Sequence, residues 1–130
     1  PRPGEESALQ PAPMFDARAY RGSGKLEGMV AVITGADSGI GRAVAVLYAR
    51  EGADVAILYL NEHDDASKTK SAVEREGRQA LLLSGDIADP AWCRSAIDLV
   101  IQAFGRIDIL VNNAAFQKHA DSIEDISDDD

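Results

Sequence analysis

Thr34-Gly35-Ala36-Asp37-Ser38-Gly39-Ile40-Gly41 is the stretch whose reading decides the fold, because it separates two segments of different hydrophobic period. Before it, Val30-Ala31-Val32-Ile33 is a continuous apolar run of the kind that forms a strand buried on both faces. After it, Ile40, Ala43, Val44, Leu47 and Tyr48 recur at helical spacing and stop at Glu51-Gly52, where a glycine can close a helix. A helix that starts directly after a strand and a glycine turn presents unpaired amides and the positive end of its dipole, which together favour a phosphate. Gly35 suits the tight turn off the strand, Gly39 lets backbone approach the anion, and Gly41 lets the helix lie close on the sheet.

Two rival glycine patterns fail here. A Walker A loop needs four residues between its glycines and then Lys-Ser/Thr, whereas Gly41 is followed by Arg42 and Ala43. The spacing G-x-x-x-G-x-G also departs from G-x-G-x-x-G.

Working outward, strands and helices keep alternating. Residues 55–60 (Val-Ala-Ile-Leu-Tyr-Leu) read as a second buried strand, and residues 64–76 as a polar helix with a thin stripe of Ala66, Thr69, Ala72 and Val73. Residues 80–83 give a third strand. Asp89-Pro90 then opens a helix, with the acid as N-cap and proline in its first turn, and the stripe is Trp92, Ala96, Ile97, Val100, Ile101 and Phe104 up to Gly105. A fourth strand over residues 107–111 runs into Asn112-Asn113. Such alternation implies an α/β fold with a parallel, doubly wound sheet joined by right-handed crossovers. Residues 1–28, with four of the five prolines and four of the 11 glycines, read as an extended arm.

Composition narrows the function classes. The chain has 130 residues and a net charge of -9, and six of its 22 acids fall in the last ten residues. An acidic chain without a basic stripe is a poor partner for nucleic acid, since phosphate neutralisation supplies most of that affinity. No apolar run approaches the roughly 20 residues that span a bilayer, so no membrane segment is expected. Cys93 is the only cysteine, which excludes an intrachain disulfide or a cysteine-based zinc set and fits a cytoplasmic location. Pro1-Arg2-Pro3-Gly4 has neither an initiator Met nor a signal-peptide layout and reads as a cut end.

The TGxxxGIG spacing of residues 34–41, with Asp86-Ile87 after the third strand and Asn112-Asn113-Ala114-Ala115 after the fourth, resembles the short-chain dehydrogenase/reductase superfamily over residues 26–115. The arm, Lys25-Leu26-Glu27-Gly28 and Tyr59-Leu60-Asn61-Glu62-His63 look like a bacterial, N-terminally extended branch often labelled general stress proteins. The resemblance implies a Rossmann-type sheet of strand order 3-2-1-4, with two helices on one face, one on the other, and an open edge at the fourth strand. It implies NAD or NADP as cofactor, a small carbonyl or alcohol as substrate and a homo-oligomeric, tetrameric assembly. The cofactor contacts it implies are Gly35, Asp37, Ser38, Gly39, Ile40 and Gly41 in the turn, and Tyr59, Leu60 and Asn61 after the second strand. Asp86 and Ile87 would lie at the adenine, and Asn113, Ala114 and Ala115 at the nicotinamide ribose, with Ala115 standing where the family usually has Gly.

The choice between NAD and NADP stays open. Tyr59 stands where an acid would accept the 2′-hydroxyl, and Leu60 where a base would hold the 2′-phosphate. Ser38 replaces a basic residue common in NADP-preferring members and Asp37 would repel a phosphate, while Arg42 and Lys68 could fold in from outside the motif.

Family catalysis uses a Ser, an Asn, and a Tyr with a Lys four residues later, one helical turn apart. Four residues after Tyr20, Tyr48 and Tyr59 come Gly24, Gly52 and His63, so these 130 residues carry no such pair. No catalytic residue is assigned, and no metal ligand. The expected organisation is an arm (1–28), a dinucleotide-binding half-domain (29–116) and an acidic tail (117–130) leading to a catalytic half not among these residues. The expected function is the NAD(P)-binding portion of a short-chain oxidoreductase, inactive alone; the alternative is a non-catalytic NAD(P)-binding module, either a redox sensor or a pseudo-enzyme.

Overall fold

The computed structural model describes residues 20–37 and 39–113. Three helices alternate with four strands: β1 (Val30–Thr34), α1 (Gly39–Arg50), β2 (Asp54–Tyr59), α2 (His63–Arg75), β3 (Ala80–Ser84), α3 (Pro90–Phe104) and β4 (Ile109–Asn112). All strand pairs are parallel and the order is β3-β2-β1-β4, as the resemblance implied. The register sets Thr34 beside Leu58 and Asn112, and Tyr59 beside Ser84, so the carboxyl ends of all four strands share one edge.

The period-2 geometry of the strands divides the core in two. Ala31, Ile33, Val55, Ile57 and Tyr59 face α1 and α2, meeting Ala45, Ala49, Ala66 and Val73. Val30, Val32, Ala56 and Leu58 face α3, meeting Ala96 and Val100, with Trp92, Phe104 and Ile107 packed against them. The α2 stripe is buried as read from the sequence. Asp89 caps α3 by accepting the Ala91 and Trp92 amides, and Gly105 closes it with φ 84°. One helix covers the second face, and Leu110 of β4 is 67% exposed there.

Two expectations need correction. The most buried face of α1 is Gly41, Arg42, Ala45, Val46 and Ala49; of the expected stripe, Val44 and Tyr48 pack against the core while Ile40 is 75% exposed. Small side chains let this helix approach the sheet closely, so the face carrying Gly41, Ala45 and Ala49 turns inward, one residue (about 100°) round from the face that begins at Ile40. β4 begins at Ile109, not at residue 107, because Asp108 is engaged with the neighbouring strand's start: its amide donates to Val30 O and its Oδ2 accepts the Val30 amide, each at 2.9 Å.

Residues 20–28 lie against the far end of α1 through one carboxylate. Glu51, 6% exposed, accepts from the Tyr20 hydroxyl, the Ser23 amide at 2.8 Å and the Lys25 amide at 3.1 Å. Its backbone oxygen takes the Leu26 amide at 2.8 Å. Arg50 adds a bond to Tyr20 O while its guanidinium pairs with Glu76 across to α2. Gly52, at φ 107°, admits the Glu27 backbone, since a Cβ there would lie 2.8 Å from Glu27 Cα.

These donors, the Tyr20 hydroxyl foremost and then the Ser23 and Lys25 amides, hold the Glu51 pKa down to about 2 from 4.5 despite burial. Arg106 and the Val30 amide likewise hold the Asp108 carboxyl below its ordinary value. A depressed carboxylate stabilises the fold fully above its unfolded pKa, and that contribution is lost as pH falls towards the folded value. For Glu51 the window runs from about pH 4.5 down to about 2. Unfolding free energies measured across it should fall less steeply in Glu51→Gln than in the wild type; identical slopes would show that the carboxylate does not hold this segment.

Candidate functional site

Between β1 and β4 the crossovers depart to opposite faces of the sheet, and such a switch point opens a crevice at the strands' carboxyl edge. The glycine turn lies there. Gly35 leaves β1 with φ 69°, its amide bound to Leu58 O at 2.8 Å, and Ala36 is fully buried behind it. α1 starts at Gly39, whose φ of 61° few other residues adopt and whose missing Cβ would meet nothing within 4 Å. The first amides of a helix have no partner within it, and among the described residues no acceptor takes those of Gly39, Ile40 or Gly41.

Gly41 shows why the helix can stand where it does. A Cβ there would overlap the Gly35 carbonyl oxygen, lie 2.7 Å from Asn113 Nδ2 and 2.9 Å from Ala36 Cα. Helix α1 therefore rests directly on the turn. β4 is tied to the same point: Asn113 Nδ2 donates to Gly35 O at 3.2 Å, and the Asn113 amide donates to Thr34 Oγ1 at 3.0 Å. Thr34 Oγ1 in turn donates to Asn112 Oδ1 at 3.1 Å.

Arg42 braces the turn from within. Its side chain, nearly buried, donates through Nε to Thr69 Oγ1 at 2.8 Å and through Nη2 to the carbonyls of Asp37 and Asp65, with the Asp65 carboxylate 3.8 Å away. Thr69 Oγ1 lies 3.3 Å from Asp37 O as well. One guanidinium thus joins the glycine turn, α1 and the first turns of α2. The sequence had offered Arg42 as a residue that could reach a 2′-phosphate; its side chain is spent inward. Lys68 stays on the exposed face of α2.

The other expected contacts are distributed along the same edge. Tyr59 is 8% exposed, its ring in the core and its hydroxyl 2.8 Å from His63 Nδ1. Leu60 and Asn61 are exposed beyond it. Asp86 is exposed and its Oδ1 accepts the Ala88 amide at 2.9 Å, shaping the turn into α3; Ile87 is half-buried, its carbonyl taking the Cys93 thiol. Ser38, Ala114 and Ala115 lie outside the described residues. The reading of the sequence missed the strut role of Arg42 and the Tyr59–His63 pair. Two signals bore on them: Thr69, a hydroxyl on an otherwise apolar stripe, requires a buried partner, and Tyr59 and His63 stand four apart where strand passes into helix.

A parallel sheet of this order, with a glycine-cleared helix start at its switch point, is the architecture of a doubly wound dinucleotide-binding unit. The family model described as short chain dehydrogenase matches residues 29–130. General stress protein 39 of Bacillus subtilis is 50% identical over 97% of this chain, and the match covers 44% of that protein. A short chain dehydrogenase from Burkholderia cenocepacia, solved in complex with NADP, superposes with a TM-score of 0.70 at 43% identity over 81% of this chain and 42% of its own. Carveol dehydrogenase from Mycobacterium avium, in complex with NAD, gives 0.71 at 31% identity over 82% and 42%. The chain belongs to the short-chain dehydrogenase/reductase family, and it spans less than half the length of these relatives.

Two substitutions separate packing from bracing. Gly41→Ala should destabilise by about 1–3 kcal/mol, because the atoms it meets are mostly backbone and cannot move aside. Arg42→Met should cost roughly 2–3 kcal/mol by stripping Asp37, Asp65 and Thr69 of their donor. Denaturant titration measures both; a loss below about 0.5 kcal/mol in either would contradict the corresponding contact.

Proposed function

We propose that these residues are the dinucleotide-binding part of an NAD(P)-dependent oxidoreductase that moves a hydride between a small alcohol or carbonyl compound and its cofactor. The observation that carries this reading is the pocket of backbone at Gly41, with open space above Gly39: the turn is cleared on the ligand side and tight on the protein side. A diphosphate would be held by the amides of Gly39, Ile40 and Gly41, with Gly35, Asp37 and Ser38 shaping the turn. Tyr59, Leu60 and Asn61 would border the adenosine ribose, Asp86 and Ile87 the adenine, and Asn113, Ala114 and Ala115 the nicotinamide ribose.

Bound nicotinamide supplies the hydride-accepting or hydride-donating carbon. This chain's own residues bind and orient. With no Tyr-x-x-x-Lys among the 130 residues, proton transfer is assigned to the longer protein that the relatives represent. A cytoplasmic, homo-oligomeric (tetrameric) protein belongs to the same proposal. The second reading is a nucleotide-binding module without turnover, which the same glycine turn suits equally well.

Titration of the chain with NADH and with NADPH, followed through Trp92 and cofactor fluorescence, tests the proposal. Saturable binding of at least one is expected, weakened at least tenfold by Gly41→Ala; no saturation with either would overturn it. Aldehyde turnover by a full-length protein carrying this segment would decide for the oxidoreductase, and binding without turnover for the module.

A further inference from the structure

Resting on the reading that the crevice holds a nicotinamide dinucleotide, we propose that His63, its ring held by Tyr59, is the residue that contacts the 2′ oxygen of the adenosine ribose or the phosphate it carries. In doubly wound folds that group is read at the end of the second strand, about 20 residues beyond the glycines. Here that place belongs to Tyr59, and its side chain is committed to the core on the α1 and α2 face. Leu60, the next residue, is 61% exposed and offers no polar atom on its side chain.

What Tyr59 does instead is position a neighbour. Its hydroxyl lies 2.8 Å from His63 Nδ1, and the two rings meet edge to face with centroids 5.3 Å apart. Where the Tyr59 hydroxyl donates to Nδ1, the arrangement this proposal requires, the ring proton sits on Nε2. That second nitrogen is then a donor on an exposed residue, and among the described residues no protein acceptor takes it. The ring is anchored on one side and available on the other.

The location follows from the brace described above. His63 begins α2, and two residues on, the Asp65 carbonyl accepts from Arg42, which directly follows Gly41. Thr69 joins the same guanidinium to Asp37 of the turn. The first turns of α1 and α2 are thus joined through Arg42 at the carboxyl edge, and His63 opens α2 there, two residues before Asp65. Other candidates fit the role less well: the Arg42 guanidinium is directed inward, and the exposed carboxylates of Glu62 and Asp64 can accept from a hydroxyl but disfavour a phosphate. An Nε2–H serves a hydroxyl oxygen and a phosphate oxygen alike. His63 therefore lets both cofactors bind, with the larger contribution to the one bearing phosphate, because a bond to a charged acceptor is about twice as strong.

Equilibrium binding of ADP-ribose and 2′-phospho-ADP-ribose to the full chain tests this without the nicotinamide. The wild type should bind both. His63→Ala should weaken the phosphorylated ligand about tenfold and ADP-ribose about threefold. His63→Gln, which keeps a donor, should recover part of the loss. Tyr59→Phe should reproduce part of the loss in the wild type and add nothing in the His63→Ala background, a coupling that a merely structural tyrosine would not show. Binding of neither ligand by the wild type would overturn the dinucleotide reading together with this inference. Binding of both with His63→Ala within twofold of wild type, or equal effects of Tyr59→Phe in the two backgrounds, would overturn the His63 assignment and leave the dinucleotide reading standing.

Discussion

The approach of α1 to the turn at Gly41 is the constraint from which the rest of the site follows. With no Cβ between them, the helix rests on Gly35 and Ala36, and the Asn113 side chain fits into the same gap. A larger residue would lift the helix, break the Asn113 bond to Gly35 O and separate β4's end from β1's. Since β1 and β4 flank the switch point and are paired up to their carboxyl ends, one missing methyl group bears on both the position of the helix start and the junction of the two strand ends. Binding geometry and fold topology meet at this residue.

Most of the architecture was legible in the sequence because the strands are short apolar runs and the glycines fall at their ends. The α2 stripe, the Asp89 cap with Pro90 and the Gly105 terminus depend on local chemistry that the residue types declare, whereas the strand order followed from the family resemblance. The face of α1 was not legible in the same way. Hydrophobicity ranks Ile40, Leu47 and Tyr48 above Gly41, Ala45 and Ala49, yet the sheet selects the smaller set, because helix–sheet distance is set by the residue that can be approached most closely. A size argument applied to the alanines and glycine, rather than a hydrophobic count, gives the observed rotation.

Polar interactions across long sequence separations were the least legible. Glu51 reads as a surface residue at a helix end, and nothing in the periodicity links it to Tyr20 or Ser23, some 30 positions earlier. Arg42 was legible only as a base that could fold in towards a 2′-phosphate, although three partners from the turn and α2 surround it. In both cases the side chain is buried because its hydrogen-bonding capacity is filled, which is the condition under which a charged group can be enclosed without a large penalty. That condition depends on tertiary partners, and a sequence declares them only indirectly.

These two charged groups occupy opposite ends of α1 and divide the work between them. Glu51 collects amide and hydroxyl donors at the amino-terminal edge of the sheet and fastens residues 20–28, where no ligand contact is needed. Arg42 faces carbonyl acceptors at the carboxyl edge and stiffens the turn from behind, which leaves the turn's outer amides uncommitted. Placed on the protein side of those amides, the guanidinium fixes the loop and still adds its charge to the helix dipole at short range. The inward turn of Arg42 is thus compatible with the proposed phosphate binding: a side chain supplies rigidity and, on that reading, the backbone supplies recognition, so the turn can be pre-organised without being filled.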